Sequence, residues 1–265
     1  MKTEIDTRAL ILISNDDGYQ SKGINFLTDI ARRYGDVIVC APDGARSGYS
    51  MSVSFTSSLT ASVVREEEAT GSLGALRVIS CSGTPCDCTK LALHEFCPRT
   101  PDLVLGGINH GDNSSVNAHY SGTMAVAMEG CMKHIPSVAF SICGHDPGAD
   151  FTPMRRYIEK VLEMVLADGL PDGVCLNVNA PLLSEYKGIR ACSMAYGSWG
   201  QEIVERDHPR GYKYYWVVGQ YECLDERQSS DQRSLGEGYV TVTPVQIDIT
   251  AYGYLDKLST LLANL

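Results

Sequence analysis

Two adjacent carboxylates, Asp16 and Asp17, stand in the segment Ser14-Asn15-Asp16-Asp17-Gly18, directly after the apolar run from Ala9 to Ile13. Neighbouring carboxylates repel unless a cation lies between them, and a hard divalent ion such as Mg2+ or Mn2+ suits oxygen ligands of this kind. An Asp-Gly pair can also do no more than make a turn. Position weighs toward the ion, because open parallel sheets bind ligands outside the carboxyl ends of their strands. A second segment, Ala41-Pro42-Asp43-Gly44-Ala45-Arg46-Ser47-Gly48, follows another apolar run, where Ser47 offers a hydroxyl to an ion and Arg46 a contact to phosphate. A third, Gly106-Gly107-Ile108-Asn109-His110-Gly111-Asp112-Asn113, supplies the neutral amides of Asn109 and Asn113, with glycines that let the backbone approach a ligand. Tyr120-Ser121-Gly122-Thr123 opens a helix whose first N–H groups can face an anion, and Ser82-Gly83-Thr84-Pro85 opens another in the same manner. A single Ser-Gly-Thr start is a helix cap in most proteins. Several such segments, each after a strand and beside an Asp pair, together describe a pocket for a phosphate and a metal ion.

Competing chemistries lack their residues. There is no G-x-x-x-x-G-K-[ST] loop, no G-x-G-x-x-G after the first strand and no G-x-S-x-G, which removes P-loop, dinucleotide-binding and α/β-hydrolase readings. Ten cysteines are many, but no C-x-x-C pair exists, and Cys86 and Cys88 flank Asp87 on different faces of an expected helix. Reduced core thiols are therefore favoured over a zinc site at Cys81, Cys86, Cys88 and Cys97. His110 and His119 lie in or near the third segment and read either as an acid or base or as solvated loop histidines.

The elements that must position these segments alternate. Continuous apolar runs at 9–15, 37–41, 103–107, 137–142 and 174–178 have the pattern of strands buried on both faces. Helical spacing appears over 22–34, 84–96, 121–133 and 151–167, the second marked by Thr84 as N-cap and Pro85 in the first turn. Residues 52–64 and 75–81 read as further strands. Repeated β-α-β units imply an α/β fold, a mostly parallel sheet with helices on both faces. After Pro181 the pattern changes: 189–195, 199–206 and 212–220 read as antiparallel strands rich in Tyr and Trp, followed by a strand at 238–244 and a helix at 250–262. This divides the chain into a core over 1–184 and an extension over 185–265.

Length and composition bound the rest. The 265 residues, 44% hydrophobic and 20% charged, exclude disorder and coiled coil. Against 32 acidic side chains stand 22 Lys and Arg, a net charge of −10 without a basic block. Duplex nucleic acid and anionic membrane are therefore excluded as partners. No apolar run approaches the ~20 residues a membrane span needs, and Met1-Lys2-Thr3-Glu4 leaves no room for a signal peptide before the first strand, so the expected compartment is the cytoplasm. The aromatic stretch 199–220 is either a lid or a subunit contact. With the polar connector 225–233 expected to be flexible, it predicts a homodimer, with a tetramer left open, in which Tyr212 to Val218 meet a partner and 238–265 is exchanged.

Asn15-Asp16-Asp17-Gly18, Ala41-Pro42 with Ser47-Gly48, Gly83-Thr84-Pro85-Cys86-Asp87, Gly107-Ile108-Asn109 with Gly111 and Asn113, Tyr120-Ser121-Gly122-Thr123, Leu176-Asn177-Val178-Asn179 and Gly238-Tyr239-Val240 with Thr243-Pro244 occur in one order and spacing. This ordered set resembles the SurE survival protein family over nearly the whole chain, least over 196–235. The resemblance implies a Rossmann-like three-layer core with a C-terminal exchange between subunits. The implied activity is that of a 5'/3'-nucleotidase, a metal-dependent phosphoric monoester hydrolase that acts on nucleoside monophosphates. Carried over by position, it implies one divalent ion per subunit on Asp16, Asp17, Ser47 and Asn109, and phosphate held by Asn113 and by Ser121, Gly122 and Thr123. Asp16 and Asp17 are then the catalytic carboxylates, and hydrolysis by water activated at the ion is the expected mechanism. A phosphorylated Asp intermediate is the mechanistic rival; a nucleotide- or metal-binding regulatory module without turnover is the rival function.

Overall fold

The computed structural model describes residues 8–144 and 146–263. At its centre lies β1 (Ala9–Ser14), whose burial on both faces follows from its unbroken apolar run. Successive side chains of a strand point to opposite faces, so Ile11 and Ile13 join one core and Leu10 and Leu12 the other. Ile11, Leu12 and Ile13 are fully buried, each contributing roughly 1.5–3 kcal/mol.

In chain order there follow α1 (Lys22–Ala31), β2 (Gly35–Pro42), β3 (Ala61–Glu67), β4 (Leu76–Cys81), α2 (Pro85–Leu91), β5 (Leu103–His110), α3 (Gly122–Met132), β6 (Ser137–Ile142), α4 (Arg155–Asp168) and β7 (Val174–Ala180). Strands β4, β2, β1, β5, β6 and β7 are neighbours in that order, and every pair among them is parallel. The core on one face joins Ile24, Leu27 and Ile30 of α1 to Ile158, Val161 and Leu162 of α4. On the other face Cys88 of α2 and Val126 of α3 pack against β1, β2 and β4. Three layers result, an α/β sandwich of Rossmann-like design. The chain passes from β1 to β2 on one side and later to β5 on the other, which makes the β1–β5 boundary the topological switch point where such folds bind ligands.

Beyond β7 come β8 (Ile189–Ala191), β9 (Gly197–Gly200), β10 (Ile203–Asp207), β11 (Lys213–Val217), β12 (Gln220–Cys223), α5 (Asp231–Gly236), β13 (Val240–Gln246) and α6 (Tyr252–Leu262). Here several expectations are corrected. The strand expected at 189–195 is the three-residue β8, which runs parallel to β13 at the sheet's edge rather than in an antiparallel group. The expected strands 199–206 and 212–220 form one long hairpin broken in the middle: β9 pairs with β12 at its base and β10 with β11 at its tip, with Gln201 at φ 52° where the ladder is interrupted. The polar stretch 225–233 is no loose connector, because Asp231 is fully buried at the start of α5. β13 lies antiparallel beside β7 of its own chain, so within 238–265 the part projecting beyond the sheet is the end that carries α6. Residues 52–60 form no strand; the ladder with β4 begins at Ala61. Among the described residues no helix is long and apolar enough to cross a membrane.

Candidate active site

Four carboxyl-end segments meet at the switch point. Asn15, fully buried, fixes the turn after β1: its Nδ2 donates to Gly18 O at 3.2 Å and Ser21 Oγ at 2.8 Å, while Gly18 N donates back to Asn15 Oδ1 at 3.1 Å. The following carboxylate, Asp16, is 3% exposed. Thr123 Oγ1 donates to Asp16 Oδ1 at 2.5 Å, and Arg46 N donates to Asp16 O at 2.6 Å, which draws the loop after β2 over the site. That loop is held on its other side by Ser50 Oγ, which donates to His119 O at 2.6 Å. The Asp17 carboxylate accepts from His110 N at 3.2 Å and lies 4.0 Å from His110 Nδ1.

The segments enclose a cavity of about 580 Å³ lined by Asp16, Ser47, Gly48, Asn109, His110, Gly111, Asp112, Asn113, Asn117, Tyr120, Ser121, Gly144, Trp199 and Tyr221. Asp16, Ser47, Asn109, Asn113 and Ser121 are thus brought together on one wall system. Asp17 borders it through His110. Gly122 and Thr123 stand behind Asp16 rather than in the lining, since the Thr123 hydroxyl is committed to that carboxylate and the Gly122 N–H also reaches it. Ser121 caps α3 by accepting from Met124 N at 2.9 Å.

Two other sequence candidates lie elsewhere. Arg46 spends its guanidinium on Asp43 and Ser82 O rather than facing the cavity. The start Ser82-Gly83-Thr84 serves a capping box, with Thr84 N donating to Asp87 Oδ2 at 2.9 Å and Asp87 N to Thr84 Oγ1 at 3.1 Å. Asp87 also accepts from Ser54 N at 3.0 Å, which anchors the loop before β3.

Burial pushes the Asp16 carboxyl up to about 6; Thr123 opposes this by hydrogen bonding, and the nearby Asp17 charge adds to it. A charged carboxylate held against such resistance, beside a second one, is a place where a cation would be stabilising. Among the described residues no group of three or more His, Cys, Asp or Glu side chains could hold a metal ion. The side chains of Asp16, Asp17, Asn109 and Ser47 would present oxygen donors alone, a chemistry that fits a hard ion and not a thiolate-bound zinc. The cysteines are all free, Cys81, Cys86 and Cys88 buried among core residues.

Behind the cavity runs a buried relay of amides. Asn179 Oδ1 accepts from Asn113 N at 2.9 Å, Asn177 Nδ2 donates to Asn113 O at 2.8 Å, and Asn113 Nδ2 donates to Ser141 Oγ at 2.8 Å. Asn177 and Asn179 sit on alternate positions of β7 and point to one face, where Asn179 Nδ2 also donates to Asn177 Oδ1 at 2.8 Å. A buried polar group is costly unless paired, and here each amide fixes the next. The second clamp is Asp231, which accepts from Ser115 N and Ala195 N, both at 2.9 Å, and so ties the turn of Ser115–Tyr120 to the base of the hairpin.

Asn117, Trp199 and Tyr221 line the cavity without having been marked as site residues by the sequence. The aromatic enrichment of the hairpin was the available signal, and it serves the site at the hairpin's base, whereas Tyr212, Tyr215, Trp216 and Val217 near the tip are exposed.

The fold and site define a class: a doubly wound α/β protein whose cavity at the switch point is lined by one buried carboxylate, Asp16, and the amides of Asn109, Asn113 and Asn117. The model of the family described as "Survival protein SurE" matches residues 11–201. A protein of Phocaeicola vulgatus described as 5'-nucleotidase SurE is 50% identical over 252 residues, covering 95% of this chain and 96% of that one. A Bacteroides thetaiotaomicron protein of the same description is 45% identical over 253 residues, with 95% of each chain covered. The crystal structure of a SurE protein from Aquifex aeolicus superposes with a TM-score of 0.79 at 33% identity, covering 95% of this chain and 99% of that chain. The chain belongs to the SurE family.

Proposed function

We infer that the chain is a nucleotidase, a phosphoric monoester hydrolase that releases phosphate from nucleoside 5'- and 3'-monophosphates. The observation that carries this reading is the convergence of Asp16, Asn109, Asn113 and Ser121 on one cavity at the switch point, in a chain half identical to a 5'-nucleotidase. Asp16, Asp17, Asn109 and Ser47 are the residues that would hold a divalent ion, Mg2+ or Mn2+, one per subunit. Such an ion supplies charge neutralisation at the phosphate and lowers the pKa of water.

The remaining roles belong to the chain. Asn113, immobilised by Ser141 and Asn179, offers an amide to a phosphate oxygen without adding charge. The N-terminus of α3 acts through Asp16, whose carboxylate takes the Gly122 N–H and the Thr123 hydroxyl. The Asp16 carboxylate, oriented by Thr123, accepts the proton of the attacking water. No observation favours a regulatory module without turnover.

We further propose a cytoplasmic enzyme that works as a homodimer or tetramer. Support for assembly comes from the exposed apolar side chains of the hairpin tip and of α6, where Tyr252, Leu255, Leu258, Leu261 and Leu262 face solvent on a helix with no buried residue.

A phosphate-release assay with AMP and 3'-AMP in Mn2+ tests the reading, with a phosphodiester such as bis(p-nitrophenyl) phosphate as control. Turnover of the monoesters with the diester untouched is expected. Absence of turnover on every nucleoside monophosphate would overturn it.

A further inference from the structure

The cavity is larger than its metal-and-phosphate floor requires. A hydrated ion and a phosphate occupy only part of a cavity of about 580 Å³. Part of the remaining wall is aromatic: Tyr120, next to Ser121 before α3, and, from a different part of the chain, Trp199 and Tyr221 at the hairpin's base.

Trp199 is held on several sides. Its Nε1–H donates to Asn117 Oδ1 at 2.9 Å. Tyr221 meets it edge-on, with ring centroids 5.8 Å apart and planes at 63°, and Tyr221 is itself pinned by its hydroxyl, which donates to Ser115 Oγ at 2.5 Å. A Cβ on Gly219 would stand 2.8 Å from Trp199 Cε3, so the facing strand end packs directly against the indole. An indole fixed in this way, its one polar hydrogen already used, has only its π surface left to offer a ligand. Structural roles alone do not require it to border the cavity that holds Asp16.

We propose that Trp199 is the specificity-determining residue of the site, the platform on which the nucleobase of the substrate stacks while its phosphate occupies the floor; this rests on the nucleotidase reading. Every base has a π face, so stacking accepts purines and pyrimidines alike and discriminates against phosphomonoesters without a base. The rigid mounting means that little ordering cost is left for binding.

The chain has two tryptophans, and Trp216 lies exposed on the hairpin tip, outside the cavity. Trp216→Phe therefore leaves Trp199 as the sole indole emitter. Titrating this variant with adenosine or uridine, which carry no phosphate and need no metal, is expected to quench its emission saturably, with ribose without effect. In steady-state kinetics with Mn2+, Trp199→Ala is expected to raise KM for AMP roughly five- to hundredfold and to leave kcat/KM for glycerol 2-phosphate within about twofold. Trp199→Phe is expected to restore most of the loss. An equal fall on both esters, or unchanged emission at saturating nucleoside, would overturn the stacking role while leaving the nucleotidase reading intact. Failure of the wild-type protein to hydrolyse AMP would overturn both.

Discussion

A Cβ on Gly122 would stand 2.8 Å from Asp16 Cβ and 3.1 Å from Asp16 Oδ2, so the first residue of α3 and the first carboxylate after β1 share one space. Asp16 Cβ is fixed to the backbone, the Asp16 carboxylate is held by Thr123, and Pro85 Cγ closes the same position at 3.0 Å. Gly122→Ala gains helix propensity, about 1 kcal/mol, yet must displace Asp16 or lift the helix start. We expect kcat/KM for AMP to fall at least tenfold while stability drops by about 1–3 kcal/mol. Activity within twofold of wild type would show that Asp16 need not stand where it does.

Asp16→Asn is expected to abolish turnover without weakening the metal-free fold. Burial raises the Asp16 carboxyl from 3.8 to about 6, so the native state holds this proton more tightly than the unfolded chain. Its stabilising effect is present below about pH 4 and is lost as pH rises through 6. In the metal-free protein the loss is on the order of 3 kcal/mol at neutral pH. The variant lacks this dependence. In EDTA at pH 7.5 it should melt at or above wild type, by up to several degrees, and the difference should close toward pH 4. A variant that melts well below wild type at pH 7.5 would contradict this.

The asparagine relay makes a separate prediction. Asn179→Leu keeps the branching at Cγ, in a somewhat larger side chain, but leaves Asn113 N and Asn177 Oδ1 without their partners. Denaturant titration should read a loss of about 2–4 kcal/mol, and KM should rise as Asn113 loosens. Ser141→Ala removes only the acceptor of Asn113 Nδ2 and should cost about 1–2 kcal/mol.

Much of this was legible in the sequence because the relevant signals are local. Strand β6 spans the expected 137–142, and α2 and α3 start at their expected caps, because apolar runs and capping residues report burial within a few positions. Asp16, Ser47, Asn109, Asn113 and Ser121 could be collected because each lies at or beyond the carboxyl end of a strand of one parallel sheet. What escaped depends on distant partners. Ser82-Gly83-Thr84 and Ser121-Gly122-Thr123 look alike in sequence, but Asp87 consumes the first and Asp16 adjoins the second. Asp231 stands in a polar stretch and reads as solvated, yet two backbone donors from 36 and 116 residues away bury it. Three-residue β8 is too short to carry a period, so its parallel partner β13 could not be inferred.

Assembly is tested through α6. None of its leucines and tyrosines is buried in the chain that carries them, so a chain ending at residue 249 should keep β13 in its sheet and melt close to full length. Light scattering at micromolar concentration should find the full chain oligomeric and the shortened one of lower order. A monomeric full-length chain would refute the proposed assembly.

The central claim is that the cavity at the switch point hydrolyses nucleoside monophosphates with a hard divalent ion on Asp16, Asp17, Ser47 and Asn109. Phosphate release from AMP, followed before and after exhaustive chelation verified by metal analysis and again after adding Mg2+ or Mn2+, tests it most directly. The account predicts activity that vanishes on chelation and returns with either ion in wild type but not in Asp16→Asn. Full activity in verified metal-free protein, or equal restoration of the variant, would contradict it.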